Sequence, residues 1–137
     1  MDITIVGGFH SLLEQEVLTI LLAGTAPIII CPARGIGNMY FPPKYEAPMA
    51  AGRLLILSFF PDEVKRLSRQ TALERNTLLA TLANDVFVAY AHPGGQIEQI
   101  CYQVIKKPGQ KLYTLPSNHN QTLLQQGAKS IEQFLKM

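Results

Sequence analysis

Tryptophan is absent from this chain, cysteine occurs twice, and aromatic residues make up 8% of its 137 residues. Cys31 and Cys101 lie far apart without CxxC spacing, which argues against a disulfide framework or a zinc knuckle. Both read as buried thiols of a reducing cytoplasm. No apolar run reaches the roughly 18 residues of a membrane helix, so no membrane partner is expected. The start, Met1-Asp2-Ile3, lacks the basic region of a signal peptide, and a cytoplasmic location follows. Net charge is only +2, which neither demands nor excludes nucleic acid, because a local basic patch does not need a basic total.

Several chemical signatures are missing as well. His10, His92, His119 and Cys31 all follow strand ends, but no HxH, HExxH or CxxC spacing joins them, so no metal is expected. Ser11 and Ser58 lack the GxSxG elbow of a hydrolase. Gly35-Ile36-Gly37 begins a GxG, but Tyr40 stands where the third glycine of a dinucleotide fingerprint belongs. No acidic residue ends the second strand to hold a ribose, and no cofactor is expected. There is no internal repeat, linker or low-complexity tract, so residues 1–137 read as a single domain. At 47% hydrophobic content it has a core of its own.

What is present is alternation. Apolar, β-branched runs at Ile3–Val6, Ile28–Cys31, Leu54–Leu57, Val86–Tyr90 and Lys111–Leu115 read as strands. They are continuous rather than alternating, which suits parallel strands covered on both faces. Helical patterns separate them. Leu13, Val17, Ile20 and Leu21 repeat at i, i+4, i+7 and i+8, with Ser11 and Glu14 at capping-box spacing and Gly24 at the end. Further helices are expected over Lys44–Ala51, Ser68–Ala83, Gln96–Lys106 and Thr122–Leu135, the last broken near Gly127. The pattern predicts a doubly wound α/β domain with a mainly parallel sheet of about five strands. The glycine-rich segments all follow strands and so gather at the carboxyl edge of the sheet, where such folds bind ligands.

The candidate site is assembled from that edge. Ala91-His92-Pro93-Gly94-Gly95 lies between an apolar run and a helix, so Gly94 and Gly95 permit a sharp turn and a close approach to a ligand. The helix start beyond them suits phosphate. Gly7 and Gly8 form a second such loop, either phosphate-facing or a tight strand–helix turn. Arg34, beside Gly35, matches phosphate bidentately. Arg75 has Leu78, Leu79 and Leu82 at +3, +4 and +7, which puts it on the core stripe of its helix. It holds either an anion or the carbonyls of a loop. Asn76 beside it reads as a binder of a backbone loop or of the ligand. Glu98, early in the helix after Gly95, either complements the dipole or acts as an acid–base group.

The run Arg75-Asn76-Thr77-Leu78-Leu79-Ala80-Thr81-Leu82-Ala83-Asn84-Asp85-Val86-Phe87-Val88-Ala89-Tyr90-Ala91 resembles the Arg-Asn-Arg helix and following strand of the DprA/Smf family. Ile5-Val6-Gly7, Ala33-Arg34-Gly35-Ile36, the segment from Gly52 to Ser58, Pro93-Gly94-Gly95-Gln96-Ile97 and the segment from Asn120 to Ala128 resemble further family motifs in the same order. The resemblance implies a Rossmann-like domain, and fuller family members bind single-stranded DNA and load the RecA recombinase. The chain departs from the family at Thr77 and at Tyr90. The insertion between the second and third strands is short, and no SAM-like or winged-helix segment is read. Pro93-Gly94-Gly95 also resembles the loop of the Lonely Guy phosphoribohydrolases, where a catalytic Glu follows; Glu98 is displaced from that spacing, and the Gly-Thr pair is missing. The resulting expectation is binding rather than catalysis. The ligand is a nucleotide or single-stranded nucleic acid, held by Gly7, Gly8, Arg34, Gly35, Arg75, Asn76, Gly94 and Gly95. Nucleoside monophosphate hydrolysis through Glu98 is the alternative, and a protein-interaction module is a third. Homo-oligomerisation is left open.

Overall fold

The structure, a computed structural model, describes residues 3–135. Met1 and Asp2, used above to judge the leader, lie outside the described residues. The described chain divides into two compact units, one up to Leu79 and one from Ala80 onward.

The first unit is built on strands β1 (Ile5–Gly7), β2 (Ile28–Ile30) and β3 (Leu54–Ile56). They form a parallel sheet in the order β1-β2-β3, with Ile5, Ile28 and Leu54 in register. Helix α1 (Leu12–Ala23) connects β1 to β2. A 3-10 turn at Pro43–Tyr45 and the short helix α2 (Glu46–Ala50) precede β3. Leu18 of α1 packs with Ile28, Ile30 and Leu54, and Phe9, Leu21, Leu22, Tyr45 and Ile56 close that core. The other face of the sheet, with Val6, Ile29 and Leu55 in register, is less covered: Val6 and Leu55 are exposed. Coverage on both faces, expected from the continuous apolar runs, is therefore not found for these residues.

The ends of α1 show how the chain fixes it. Ser11 Oγ accepts from the Glu14 amide at 3.2 Å and donates to the Glu14 carboxylate at 2.9 Å. Gly24 ends the helix in an extended conformation, its amide donating to the Leu21 carbonyl. The final carbonyls are capped from a distance. Arg53 donates to the carbonyls of Leu21, Leu22 and Ala26 at 2.6–3.1 Å, which satisfies acceptors that a helix end leaves open.

The second unit has strands β4 (Val86–Val88), β5 (Leu112–Thr114) and β6 (Lys129–Ser130), parallel and in the order β4-β5-β6. Helix α4 (Gln96–Lys106) joins β4 to β5, numbered after α3 (Arg69–Leu82), which crosses the division between the units. A 3-10 turn at Asn118–Asn120, α5 (Gln121–Gln126) and α6 (Ile131–Leu135) complete the chain. Cys101, Val104, Leu112 and Leu123 form the core with Ala91 and Ala128. Gln110 Nε2 donates to the Ala80 and Ala83 carbonyls, and Lys107 Nζ to that of Thr81, so these two side chains cap the end of α3.

Three expectations are corrected. A single sheet of about five strands is replaced by two three-stranded parallel sheets. The sixth strand is a two-residue segment that follows Gly127 at φ 125°, a turn only glycine adopts without strain, and it is too short and polar to register as an apolar run. The stripe Leu13, Val17 and Ile20 faces outward, Ile20 being 72% exposed, while Leu18 is buried. Helix α1 is apolar nearly all round, so periodicity fixes the helix but not its buried face. Leu78 and Leu82 are exposed too, Leu82 at 68%, although they share a stripe with a buried Arg75.

Candidate functional site

In a parallel sheet every strand exits on the same edge. In the first unit that edge carries Gly7-Gly8, the loop from Cys31 to Gly37, and the segment from Leu57 to Pro61. Arg75 reaches it from α3 and is only 5% exposed. Its Nη1 donates to the Cys31 carbonyl at 3.1 Å, and its Nε donates to Asn76 Oδ1 at 2.8 Å. Its Nη2 has no acceptor, and no carboxylate forms an ion pair with it, among the described residues. Burial pushes the guanidinium below its ordinary range, while Glu14 and the Cys31 side chain act in the opposite direction. Burial likewise raises the Cys31 thiol, and Arg75 partly offsets it.

Gly8 is explained by the same arginine. A Cβ at this position would overlap the Arg75 guanidinium. The missing side chain therefore makes room for a protein cation that lies on the loop backbone. Gly7 is tight against the Phe9 ring, at 3.3 Å from where a Cβ would sit. Phe9 itself has φ 50°, a left-handed conformation that is a genuine outlier for a bulky side chain. Asn76 Oδ1 accepts from Arg75 and so orients it; among the described residues its side chain meets no backbone loop.

Arg34 folds back on its own loop. Its Nε donates to the Gly35 carbonyl at 3.0 Å and its Nη2 to that of Gly37 at 3.4 Å. Ser58 Oγ donates to the Arg34 carbonyl at 2.6 Å, and Asp62 Oδ1 accepts from the Gly37 amide at 3.0 Å. A Cβ on Gly35 would collide with the Pro61 carbonyl. The Gly35-Ile36-Gly37 turn is thus packed against the loop after β3.

In the second unit Gly94 has φ 78° with open space around it, and Gly95 is the N-cap of α4 without a side-chain cap. Glu98 Oε1 accepts from the Gly94 amide at 3.1 Å, so the carboxylate is engaged in closing the turn. Asn120, 2% exposed, donates from Nδ2 to the carbonyls of Ala89 and Leu115 and ties together the exits of β4 and β5. His119 meets Tyr90 edge-on at 5.9 Å. No three His, Cys, Asp or Glu side chains converge on a common point among the described residues. No helix among the described residues is long and apolar enough to cross a membrane.

The sequence singled out Arg75 but not what holds it, because the Cys31 carbonyl lies 44 residues away. Asp62 was not singled out, Ser58 was weighed only as a hydrolase serine, and Asn120 only as the start of a family-like segment. All three act on backbone groups brought close only by the fold, and the sequence does not show those partners.

Comparison with known proteins agrees with the fold. The chain is similar to the X-ray structure of DNA processing protein A (DprA) from Streptococcus pneumoniae, with a TM-score of 0.74 at 18% identity. The match covers 98% of this chain and 50% of that one, so this chain spans about half the length of its structural neighbour. The fold is DprA-like, a mixed α/β arrangement of the Rossmann type. No protein-family profile and no curated protein matches the sequence.

Proposed function

We propose that residues 1–137 act as a DprA-like domain that binds the phosphate of a nucleotide or of single-stranded nucleic acid, and that the domain is a binding module rather than an enzyme. One observation carries this proposal: Arg75, 5% exposed at the carboxyl edge of a parallel sheet, has a solvent-open guanidinium nitrogen without an acceptor among the described residues. A buried charge is costly unless it is paired, and arginine pairs phosphate well. Gly8 lets that charge sit on the loop backbone. Arg34 supplies a second guanidinium after β2 in the same unit, its Nε and Nη2 on the Gly35 and Gly37 carbonyls and its Nη1 without an acceptor among the described residues. The likeness to a DNA-processing protein favours nucleic acid as the ligand class.

The Lonely Guy alternative is disfavoured because Glu98 is bound to the Gly94 amide. The test is titration of AMP, a nucleotide panel and oligo-dT at two salt concentrations. Nucleic acid should weaken steeply with salt as counterions are released, and a mononucleotide should not. Arg75→Met that still unfolds cooperatively should lose most binding. Unchanged binding in that variant would refute the assignment.

A further inference from the structure

A cavity of about 480 Å³ opens on the flank of α1 within the first unit. Phe9, Gln15, Glu16, Thr19, Lys44 and Tyr45 line it, and Leu12 and Pro42 add apolar surface. We propose that it takes a nucleobase with a donor-bearing edge, guanine above the others. The inference rests on the phosphate site just described. Gly8 touches Arg75, and the next residue, Phe9, lines the cavity, about 3.8 Å further along the chain. The loop on which the arginine lies thus runs directly into the cavity wall, and in this proposal one nucleotide places its phosphate at the arginine and its base beside α1.

The lining has the two properties a base requires. Aromatic and apolar groups can cover its flat faces, and stacking on aromatic side chains is the common means of holding an unpaired base. Phe9 is held in its left-handed conformation with its ring against Gly7, so one aromatic wall is positioned before any ligand arrives. The polar groups are mostly acceptors. Gln15 Nε2 donates to the His10 carbonyl at 2.8 Å, which leaves Oε1 as the free end of the amide. Thr19 Oγ1 donates to the Gln15 carbonyl at 3.1 Å and keeps its lone pairs. The Glu16 carboxylate has no partner among the described residues. Lys44 and the Tyr45 hydroxyl offer donors, and Gln15 Nε2 keeps a second N–H. A carboxylate among acceptors selects a ligand with adjacent donors, and guanine presents N1–H and its 2-amino group side by side. Adenine and cytosine present a single amino group on that edge. Uracil and thymine present one N–H between two carbonyls that a carboxylate repels.

The experiment titrates the full chain with GMP, AMP, CMP and UMP by calorimetry, and repeats the series with Glu16→Gln. Glu16 is exposed, so this variant should fold. The expected result is GMP binding at least tenfold tighter than UMP, with the gap closing in Glu16→Gln while UMP is unchanged. Four equal affinities, unaffected by the substitution, would overturn the base pocket and leave the phosphate site standing. Absence of binding by all four would overturn both.

Discussion

If the absent side chain at Gly8 makes room for Arg75, then adding one methyl group there should act through that arginine alone. A Cβ at Gly8 would overlap the guanidinium, so Gly8→Ala must displace it. Overpacking of this kind costs about 1–3 kcal/mol. A displaced guanidinium also gives up its bond to the Cys31 carbonyl, and a charged hydrogen bond is worth about 1.5–3 kcal/mol. The sum is roughly 2.5–6 kcal/mol. With a urea m-value of about 2 kcal/mol/M, the midpoint should fall by roughly 1–3 M. The control is the same change in an Arg75→Ala background. There the overlap is gone, and Gly→Ala at a compatible position stabilises by about 0.4–1 kcal/mol through the unfolded chain. A double-mutant cycle by urea unfolding should therefore give a coupling of at least about 2 kcal/mol between the two positions. If Gly8→Ala costs the same with and without the arginine, Gly8 is a glycine for some other reason, and Arg75 is not what fills the first loop.

Asn120→Ala should cost about 2–3 kcal/mol in thermal unfolding, because two carbonyls lose their donor in a buried setting; full stability would show that the clamp is idle. The Cys101 thiol is pushed up to about 11 by burial, with Glu98 adding to the shift. An unfolded thiol ionises near pH 8.5, so the unfolded state binds fewer protons between that pH and 11, and stability should fall as pH rises through this window. Cys101→Ala should be less stable at pH 7 but should flatten the alkaline limb, as measured by unfolding from pH 7 to 11. Incubation with AMP should release no adenine above background, and Glu98→Gln should not alter that result. Release that vanishes in Glu98→Gln with binding retained would reinstate a hydrolase.

Much of the scaffold was legible because its signals are local. Ile28–Ile30 and Val86–Val88 are β-branched or aromatic runs that have no other use than strand, and Gln96–Lys106 begins right after the glycine turn that marks it. The identity of the buried face was not legible where a helix offers leucine or isoleucine on every side, as α1 does. Arg75 shows a subtler gap. Its burial was inferred from Leu78 and Leu82, yet those leucines are exposed, and the arginine is held by Cys31, Asn76 and the bare backbone of Gly8. Arg53 and Asn120 were silent for a related reason. Their partners are carbonyls 27–32 residues away for Arg53 and as far as 31 for Asn120, and a carbonyl has no sequence signature.

The glycines carry the last step. In a sequence, a glycine after a strand means that something comes close to the backbone there, and a ligand is only one candidate. At Gly8 the close neighbour is Arg75, at Gly35 it is the Pro61 carbonyl, and at Gly95 it is the His92 carbonyl at 3.0 Å from where a Cβ would sit. Gly94 alone among the candidate glycines faces open space, and its amide is taken by Glu98. Glycine content at the sheet edge is thus accounted for by the protein's own packing and lends little weight to a binding site. The unspent guanidinium nitrogen of Arg75 has no such internal explanation. Nη2 takes no acceptor and is not among the fully buried polar atoms without a partner, which among the described residues are Gln110 Oε1 and Asn120 Oδ1, so it stays open to solvent. The proposed anion site therefore rests on that solvent-open donor more than on any loop motif, and unchanged phosphate binding in Arg75→Met would remove its basis.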